Sequence, residues 1–314
     1  MAKVISIINY KGGVGKTTLT SNLAAELAWN GLKVLIIDLD PQTNLTFSFL
    51  RVDDWEKNYQ NKTIKKWFDA YIDNDQDFNL GDIIITPERV NARLKQSKSD
   101  GKIDLISSHL GLINVDLELS AKLWGGSDRT NRRNFLKVHS RFKEGLQQLE
   151  DQGVIYDVVL IDCPPNFNVV TKTAIIASDT LLVPAKSDYL STIGIEQLDK
   201  NVKELVQEYN EKTKYDELNN EFEEVNPVFE GVIFTMVGIR YGVPYQAQQQ
   251  FISTVKRLNI PVLETIIREN KTIYADAPQA GVPVVLEEVR SETYENVRGE
   301  LEALAEEVMN RVGI

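Results

Sequence analysis

The sequence predicts an α/β fold: a doubly wound, mostly parallel sheet flanked by helices. Three observations carry this expectation. Short, near-continuous β-branched runs recur along the chain, as strands buried on both faces require. Stretches with helical apolar spacing alternate with them, the order expected of crossover units. At residues 3–18, strand, glycine-rich loop and helix follow one another directly.

Residues 4–8, 34–37, 158–161 and 180–183 are the clearest strand candidates, and 232–234 and 262–267 add two more. Between them, residues 18–29 place Leu19, Leu23 and Leu27 on one helical face, and Gly31 suits a C′ position. Residues 135–149, 195–209, 245–258 and 292–312 read as further helices. Residues 51–102 are the least regular stretch, polar with Asn, Asp, Gln and Lys plus Trp55 and Trp67, and read as a mostly helical excursion with loops on the scaffold's edge. The whole is read as one domain over 1–314. The first strand starts within two residues of Met1, so no N-terminal helix-turn-helix module is expected.

Lys and Arg number 35 against 46 Asp and Glu, a net charge of −11. That balance disfavours nucleic acid unless a local basic face exists. Residues 129–143 carry Arg129, Arg132, Arg133, Lys137, Arg141 and Lys143 against no acid, whereas 287–307 hold eight glutamates against Arg290 and Arg298. Either run also reads simply as a solvated helix face. A single cysteine, Cys163, excludes an intramolecular disulfide and suits a reducing cytoplasm. No apolar run approaches the ~20 residues of a membrane span, and no signal-peptide layout opens the chain.

Residues 10–18 read Tyr10-Lys11-Gly12-Gly13-Val14-Gly15-Lys16-Thr17-Thr18. The order Gly15-Lys16-Thr17, between a strand and a helix, fits the end of a Walker A loop and so a fold of P-loop NTPase type. Backbone N–H groups cradle phosphates, Lys16 reaches the outer phosphate oxygens, and Thr17 holds Mg²⁺. Tyr10 stands where the leading glycine usually falls, and Lys11 follows it. Strand ends deliver carboxylates: Asp38 and Asp40 from one, Asp162 from another. Asp162 reads as the residue that holds Mg²⁺ through water, Asp40 as the one that positions the attacking water, and Asp38 as its support near the metal. A helix-capping or turn role is the alternative for each. Cys163, His109 and His139 have no partner pattern and read as packing residues.

The Tyr10–Thr18 segment resembles the deviant Walker A of the ParA/MinD family of ATPases, and the resemblance extends over most of the chain. Asp38-Leu39-Asp40-Pro41-Gln42 resembles that family's Walker A′ segment, and Ile161-Asp162-Cys163-Pro164-Pro165 its Walker B. The resemblance implies that ATP binding closes a sandwich homodimer in which Lys11 reaches the partner's phosphates. Segments 234–236 and 276–283 look like the family's base-binding loops, which implicates Met236 and Pro278.

Family functions divide by what the ATP-bound dimer grips. The acidic last helix does not suit an anionic membrane, and one cysteine per chain is too few for an Fe–S cluster between subunits. What remains resembles a ParA-type partition ATPase of a prokaryotic cytoplasm, associated with the nucleoid. The resemblance then implies non-specific DNA binding, with Lys203 and Arg240 at contact positions and Lys256 and Arg257 beside them. It also implies a ParB-type centromere-binding protein that stimulates hydrolysis and release. Two rivals stay open: a relative that positions another cargo, such as a protein organelle or chemoreceptor array, and a non-hydrolysing DNA-binding scaffold.

Overall fold

The computed structural model describes residues 2–74, 78–215, 222–288 and 290–314, without the side chains of 276–280. Six parallel strands form the main sheet: β1 (Lys3–Ile7), β2 (Lys33–Asp38), β3 (Lys102–Ile106), β4 (Val158–Asp162), β5 (Thr180–Lys186) and β6 (Val228–Thr235), in the order β3-β2-β4-β1-β5-β6. A two-stranded ribbon, β7 (Ile239–Arg240) and β8 (Val243–Pro244), follows. The sheet is covered by α1 (Lys16–Trp29), α2 (Asn44–Phe47), α3 (Val52–Asn58), α4 (Ile64–Ile72), α5 (Glu88–Gln96) and α6 (Leu112–Lys122) from the first half of the chain. From the second half come α7 (Asp128–Asp151), α8 (Val169–Ala177), α9 (Tyr189–Thr213), α10 (Gln246–Arg257), α11 (Lys271–Ala280) and α12 (Glu292–Val312).

Strand periodicity sorts the core into two layers. Ile5, Ile7, Val34, Ile36, Val158 and Leu160 face α1, α5 and α12. Val4, Leu35, Ile37, Val159 and Ile161 face the layer of α4 and α6–α9, where Trp67, Phe68 and Phe142 meet edge to face or tilted. With both faces covered, the strands read as continuous apolar runs rather than alternating ones.

Two expectations about strands need correction. β3 is a strand that the apolar pattern hides, because Asp104 interrupts it. That aspartate is buried and satisfied by Tyr156 Oη at 2.9 Å, Lys102 Nζ at 2.7 Å and Thr86 Oγ1 at 2.6 Å. Conversely, residues 262–267 run beside β6 without forming a strand: Leu263 and Ile267 N–H donate to the Val232 and Phe234 carbonyls at 2.9 Å each, and Val232 and Val262 form an isolated bridge. Between them the N–H groups of Glu264 and Thr265 donate to the Glu307 carboxylate at 2.8 and 2.9 Å, and Arg268 N–H donates to Glu300 at 2.9 Å. Two glutamates of α12 thus take the place of ladder partners, and the acidic run of the last helix is partly structural.

Helices α7 and α9 start several residues before their apolar periodicity does. Ser127 caps α7 by accepting from Thr130 N–H, and Asp188 caps α9 by accepting from Ser191 N–H. The last helix spans the expected 292–312, between the Ser291 cap and Gly313 at φ 75°. Within 51–102, Ile85 pairs antiparallel with Leu105, exchanging N–H···O bonds of 2.8 and 2.7 Å. That pairing covers the open edge of β3, which would otherwise present unpaired backbone groups. Among the described residues no helix is long and apolar enough to cross a membrane.

Candidate functional site

The sheet's carboxyl edge gathers the loop after β1 and the ends of β2, β4, β5 and β6. Ile7 lies beside Asp162, and Asp162 beside Asp38, on adjacent strands. The loop needs its glycines: Gly13 and Gly15 take φ 65° and 83°, left-handed values that side chains with a Cβ tolerate poorly. Space above Gly12 and Gly13 is open to 4 Å, which leaves the backbone N–H groups approachable. Two anchors fix the loop's path. Thr235 Oγ1 donates to the buried Val14 carbonyl at 2.6 Å, and the Asn9 side chain links Pro184 O (2.7 Å) with Lys11 N–H (2.8 Å).

Lys16 opens α1 and is buried, its ammonium donating to the carbonyls of Asn9 (3.2 Å) and Lys11 (3.3 Å). Burial lowers its pKa below the ordinary lysine value, against the pull of Asp162 and Asp40. A buried cation held only by carbonyls at the mouth of such a loop suits an anion, which would return the lost stabilisation. Thr17 Oγ1 donates to Asp162 Oδ2 at 2.7 Å, and Thr20 Oγ1 reaches the other oxygen at 3.4 Å. Burial raises Asp162 to about 7 and Asp38 to about 8, the latter pushed further by the Asp162 charge. Asp38 spends its oxygens on its own segment: Asp40 N–H at 3.1 Å, Thr46 N–H at 2.8 Å and Thr46 Oγ1 at 2.7 Å. Half-buried Asp40 accepts from Gln42 N–H at 2.9 Å.

Among the described residues no group of three or more His, Cys, Asp or Glu could cage a metal ion. One hydroxyl beside one carboxylate fits a cation that keeps its waters and shares phosphate oxygens, as Mg²⁺ does. Cys163 is buried, its thiol pKa raised chiefly by that burial. His139 stacks on Phe135 with centroids 4.0 Å apart, and burial lowers it to about 4; both cysteine and histidine are packing residues.

Lys11 lies at the loop's outer side. Its ammonium holds both oxygens of Asp188, at 3.0 and 2.8 Å, and Ser191 Oγ at 3.2 Å. Against the pull of burial, the Lys11 and Ser191 hydrogen bonds keep the Asp188 carboxyl below its ordinary value. Sequence reasoning missed Asp188. The available signal was its place two residues beyond the end of β5, at the same sheet edge as Asp38 and Asp162.

Met236, at φ 54°, faces Gly15 across a cavity of about 120 Å³ that Thr18, Thr235, Asn270 and Tyr274 also line. The wall opposite the loop therefore comes from residues 267–274, just upstream of the segment singled out in the sequence. Pro278 falls within α11, where its side chain is outside the described ones. The four expected nucleic-acid residues lie apart from this edge. Lys203 pairs with Asp199 at 2.6 Å, Lys256 with Glu264 at 3.6 Å, Arg240 sits on β7 with its guanidinium 5.3 Å from the Tyr241 ring, and Arg257 ends α10.

The family model described as AAA domain matches residues 2–215. The sporulation initiation inhibitor protein Soj of Bacillus subtilis (strain 168) is 30% identical over 291 residues, 93% of this chain and 93% of Soj. The chromosome partitioning protein ParA of Caulobacter vibrioides is 27% identical over 288 residues, 92% of this chain and 88% of that protein. Among solved structures, a McdA–ATP complex from Cyanothece aligns with a TM-score of 0.69 at 22% identity, over 100% of this chain and 97% of that one. That last likeness concerns the fold, which is of P-loop NTPase type.

Proposed function

Because the chain belongs to the ParA-type partition ATPase family, we propose that it is an ATP-dependent DNA-partition ATPase. The observation that carries this reading is the convergence at one sheet edge of the glycine loop, buried Lys16, the Thr17–Asp162 pair and Lys11. Gly12, Gly13, Val14 and Gly15 offer backbone N–H groups to the phosphates of ATP, Lys16 neutralises the outer ones, and Thr18 with Met236 borders the base. Pro278 is proposed to approach the base from α11. Thr17 and Asp162 would hold Mg²⁺, with Asp38 behind them, and the ion would supply charge neutralisation on the phosphates. Asp40 leaves its turn with Gln42 to orient the attacking water.

Lys11 acts across a homodimer. The ammonium held by Asp188 is transferred to the partner's phosphates, so each site is complete only in the ATP-bound pair. The dimer binds DNA without sequence preference, through Lys203 and Arg240 with Lys256 and Arg257 alongside. A ParB-type centromere-binding protein then stimulates hydrolysis, the dimer parts, and DNA is released. A surface with net charge −11 suits the basic stimulating arm expected of such a partner. The name of the chromosome partitioning protein ParA among the relatives supports partition. Action at the nucleoid follows from the proposed DNA binding.

The test has two arms. Gel shifts on random-sequence DNA with ATP, with ADP and without nucleotide should give a shift with ATP alone. Phosphate release with DNA and a centromere-binding partner present should exceed that of Asp40→Ala. Equal turnover in wild type and variant removes the enzyme reading, and binding that ignores nucleotide removes the switch.

A further inference from the structure

The basic run of residues 129–143 is split by the fold into two parts with different fates. Arg141 is partly buried, its guanidinium 4.5 Å from the Trp67 ring centre and 5.2 Å from that of Tyr71, and Lys143 pairs with Glu223 at 3.4 Å. The other four, Arg129, Arg132, Arg133 and Lys137, surround the first turns of α7 at the surface. Arg129, Arg133 and Lys137 follow at intervals of four residues and so share one face. At 1.5 Å per residue they span ~12 Å. That length covers about three or four phosphates of one DNA strand along its axis.

The surroundings reinforce the pattern. Among the described residues, Arg129, Arg132 and Lys137 enter no ion pair within 4 Å, whereas Lys203 and Lys256 are each matched with a carboxylate. Acids on the neighbouring stretch of α9 are engaged elsewhere: Glu208 with Lys212 at 2.8 Å, and Glu211 with Gln207 at 2.8 Å. Among the described residues, Asp128 is the acid in the first turn of α7. Two exposed aromatics flank the strip. Trp124, 75% exposed, precedes Gly125 and Gly126, and Tyr215, 72% exposed, lies 5.3 Å from the Arg132 guanidinium. Cations in a line match the phosphates of one duplex strand, and the exposed rings beside them can pack against the sugars that border it. Arg129 and Arg132 carry a planar fork that fits phosphate oxygens in pairs.

We propose that the amino-terminal turns of α7, with Trp124 and Tyr215, form a nucleic-acid contact surface additional to the one on α9 and α10. This rests on the DNA-partition reading. The strip is joined to the nucleotide loop by a single element, since α9 holds Lys11 at Asp188 and presents Lys212 4.7 Å from the Phe135 ring on α7.

Anisotropy of a labelled random-sequence duplex, titrated with full-length protein and ATP at several salt concentrations, tests it. Arg129→Gln with Lys137→Gln should weaken binding by about tenfold or more at low salt and lower the slope of log K against log salt by about two. Trp124→Ala should weaken binding with the slope intact. Melting temperature and ATP binding should match wild type, because these side chains are remote from the loop and solvent-exposed. If wild type binds duplex and the double variant does so with the same affinity and slope, this surface is wrong while the partition reading stands. If wild type binds no duplex in any nucleotide state, the partition reading falls and takes this proposal with it. Preference of the strip for polyglutamate, or for phosphatidylglycerol vesicles, over duplex would overturn it in favour of an acidic protein or lipid partner.

Discussion

The Lys11–Asp188 pair makes the proposed two-chain switch measurable, because the lysine must leave one carboxylate before it can serve another subunit. Both side chains are partly exposed, 35% and 41%, so the pair belongs to the weak class of about 0.2–1 kcal/mol. A symmetric dimer breaks two such pairs, which costs about 0.4–2 kcal/mol, or about 2- to 30-fold in the dimerisation constant. Asp188→Asn removes the charge but keeps a good cap for Ser191 N–H. It should therefore tighten the ATP-bound dimer by a factor within that range, with little loss of stability. Asp188→Ala should gain the same tightening but lose about 1 kcal/mol of stability with the cap. Lys11→Ala should bind ATP as a monomer. Light scattering and sedimentation with ATP, against thermal melts of the same proteins, read all three. A dimer that is weakened or unchanged in Asp188→Asn refutes the idea that this pair opposes assembly. A normal ATP dimer in Lys11→Ala refutes the lysine's role across the interface.

The carboxylates predict a pH dependence. Folded-state values of about 8 for Asp38 and about 7 for Asp162 lie above the usual aspartate value. Their stabilisation is thus full below about pH 4 and is lost as pH rises through 7 to 8. The ligand-free melting temperature should fall as pH rises from about 4 to 8. Mg²⁺ with ATP should reverse the fall and release about one proton at pH 7, seen by calorimetry in buffers of different ionisation enthalpy; no proton release would discount the pair as part of the ion's site. In the core, Gly145→Ala would place a Cβ 2.6 Å from Trp67 Cζ2. Overpacking of about 1–3 kcal/mol should exceed the helix-propensity gain of about 1 kcal/mol and lower the melting temperature by a few degrees; a rise would show that Trp67 repacks freely. Glu307→Ala leaves two N–H groups of the edge segment without their acceptor and should cost about 1–3 kcal/mol in a denaturant titration.

Much of this was legible in the residues, for identifiable reasons. The phosphate loop is a local object: its glycines, Lys16 and Thr17 act within one turn, so order along the chain is order in space. Strands β1, β2, β4 and β5 announce themselves because burial on both faces leaves few polar positions, such as Ser6 in β1. What escaped was set by distant partners. Asp104 disguised β3 because Tyr156, 52 residues away, satisfies it. Residues 262–267 looked like a strand, but Glu307, more than 40 residues on, takes the N–H groups of Glu264 and Thr265. Asp188 meets Lys11 across 177 residues, and no spacing rule reaches that far. The basic run looked uniform until the aromatic side chains of α4 withdrew Arg141 from the surface.

The two residues by which the loop departs from the usual motif have a common structural explanation. A glycine at position 10 would cradle phosphates as well as Tyr10 does. Tyr10, however, accepts a hydrogen bond at its hydroxyl from Asn201 of α9 and packs edge to face on Phe167, with centroids 5.6 Å apart. The next residue, Lys11, binds the same helix at its cap. Both departures therefore tie the loop to α9, one by a neutral hydrogen bond and one by an ion pair. The loop's unusual sequence is thus explained by its contacts with the helix that carries Lys203 and whose Lys212 lies 4.7 Å from the Phe135 ring on α7.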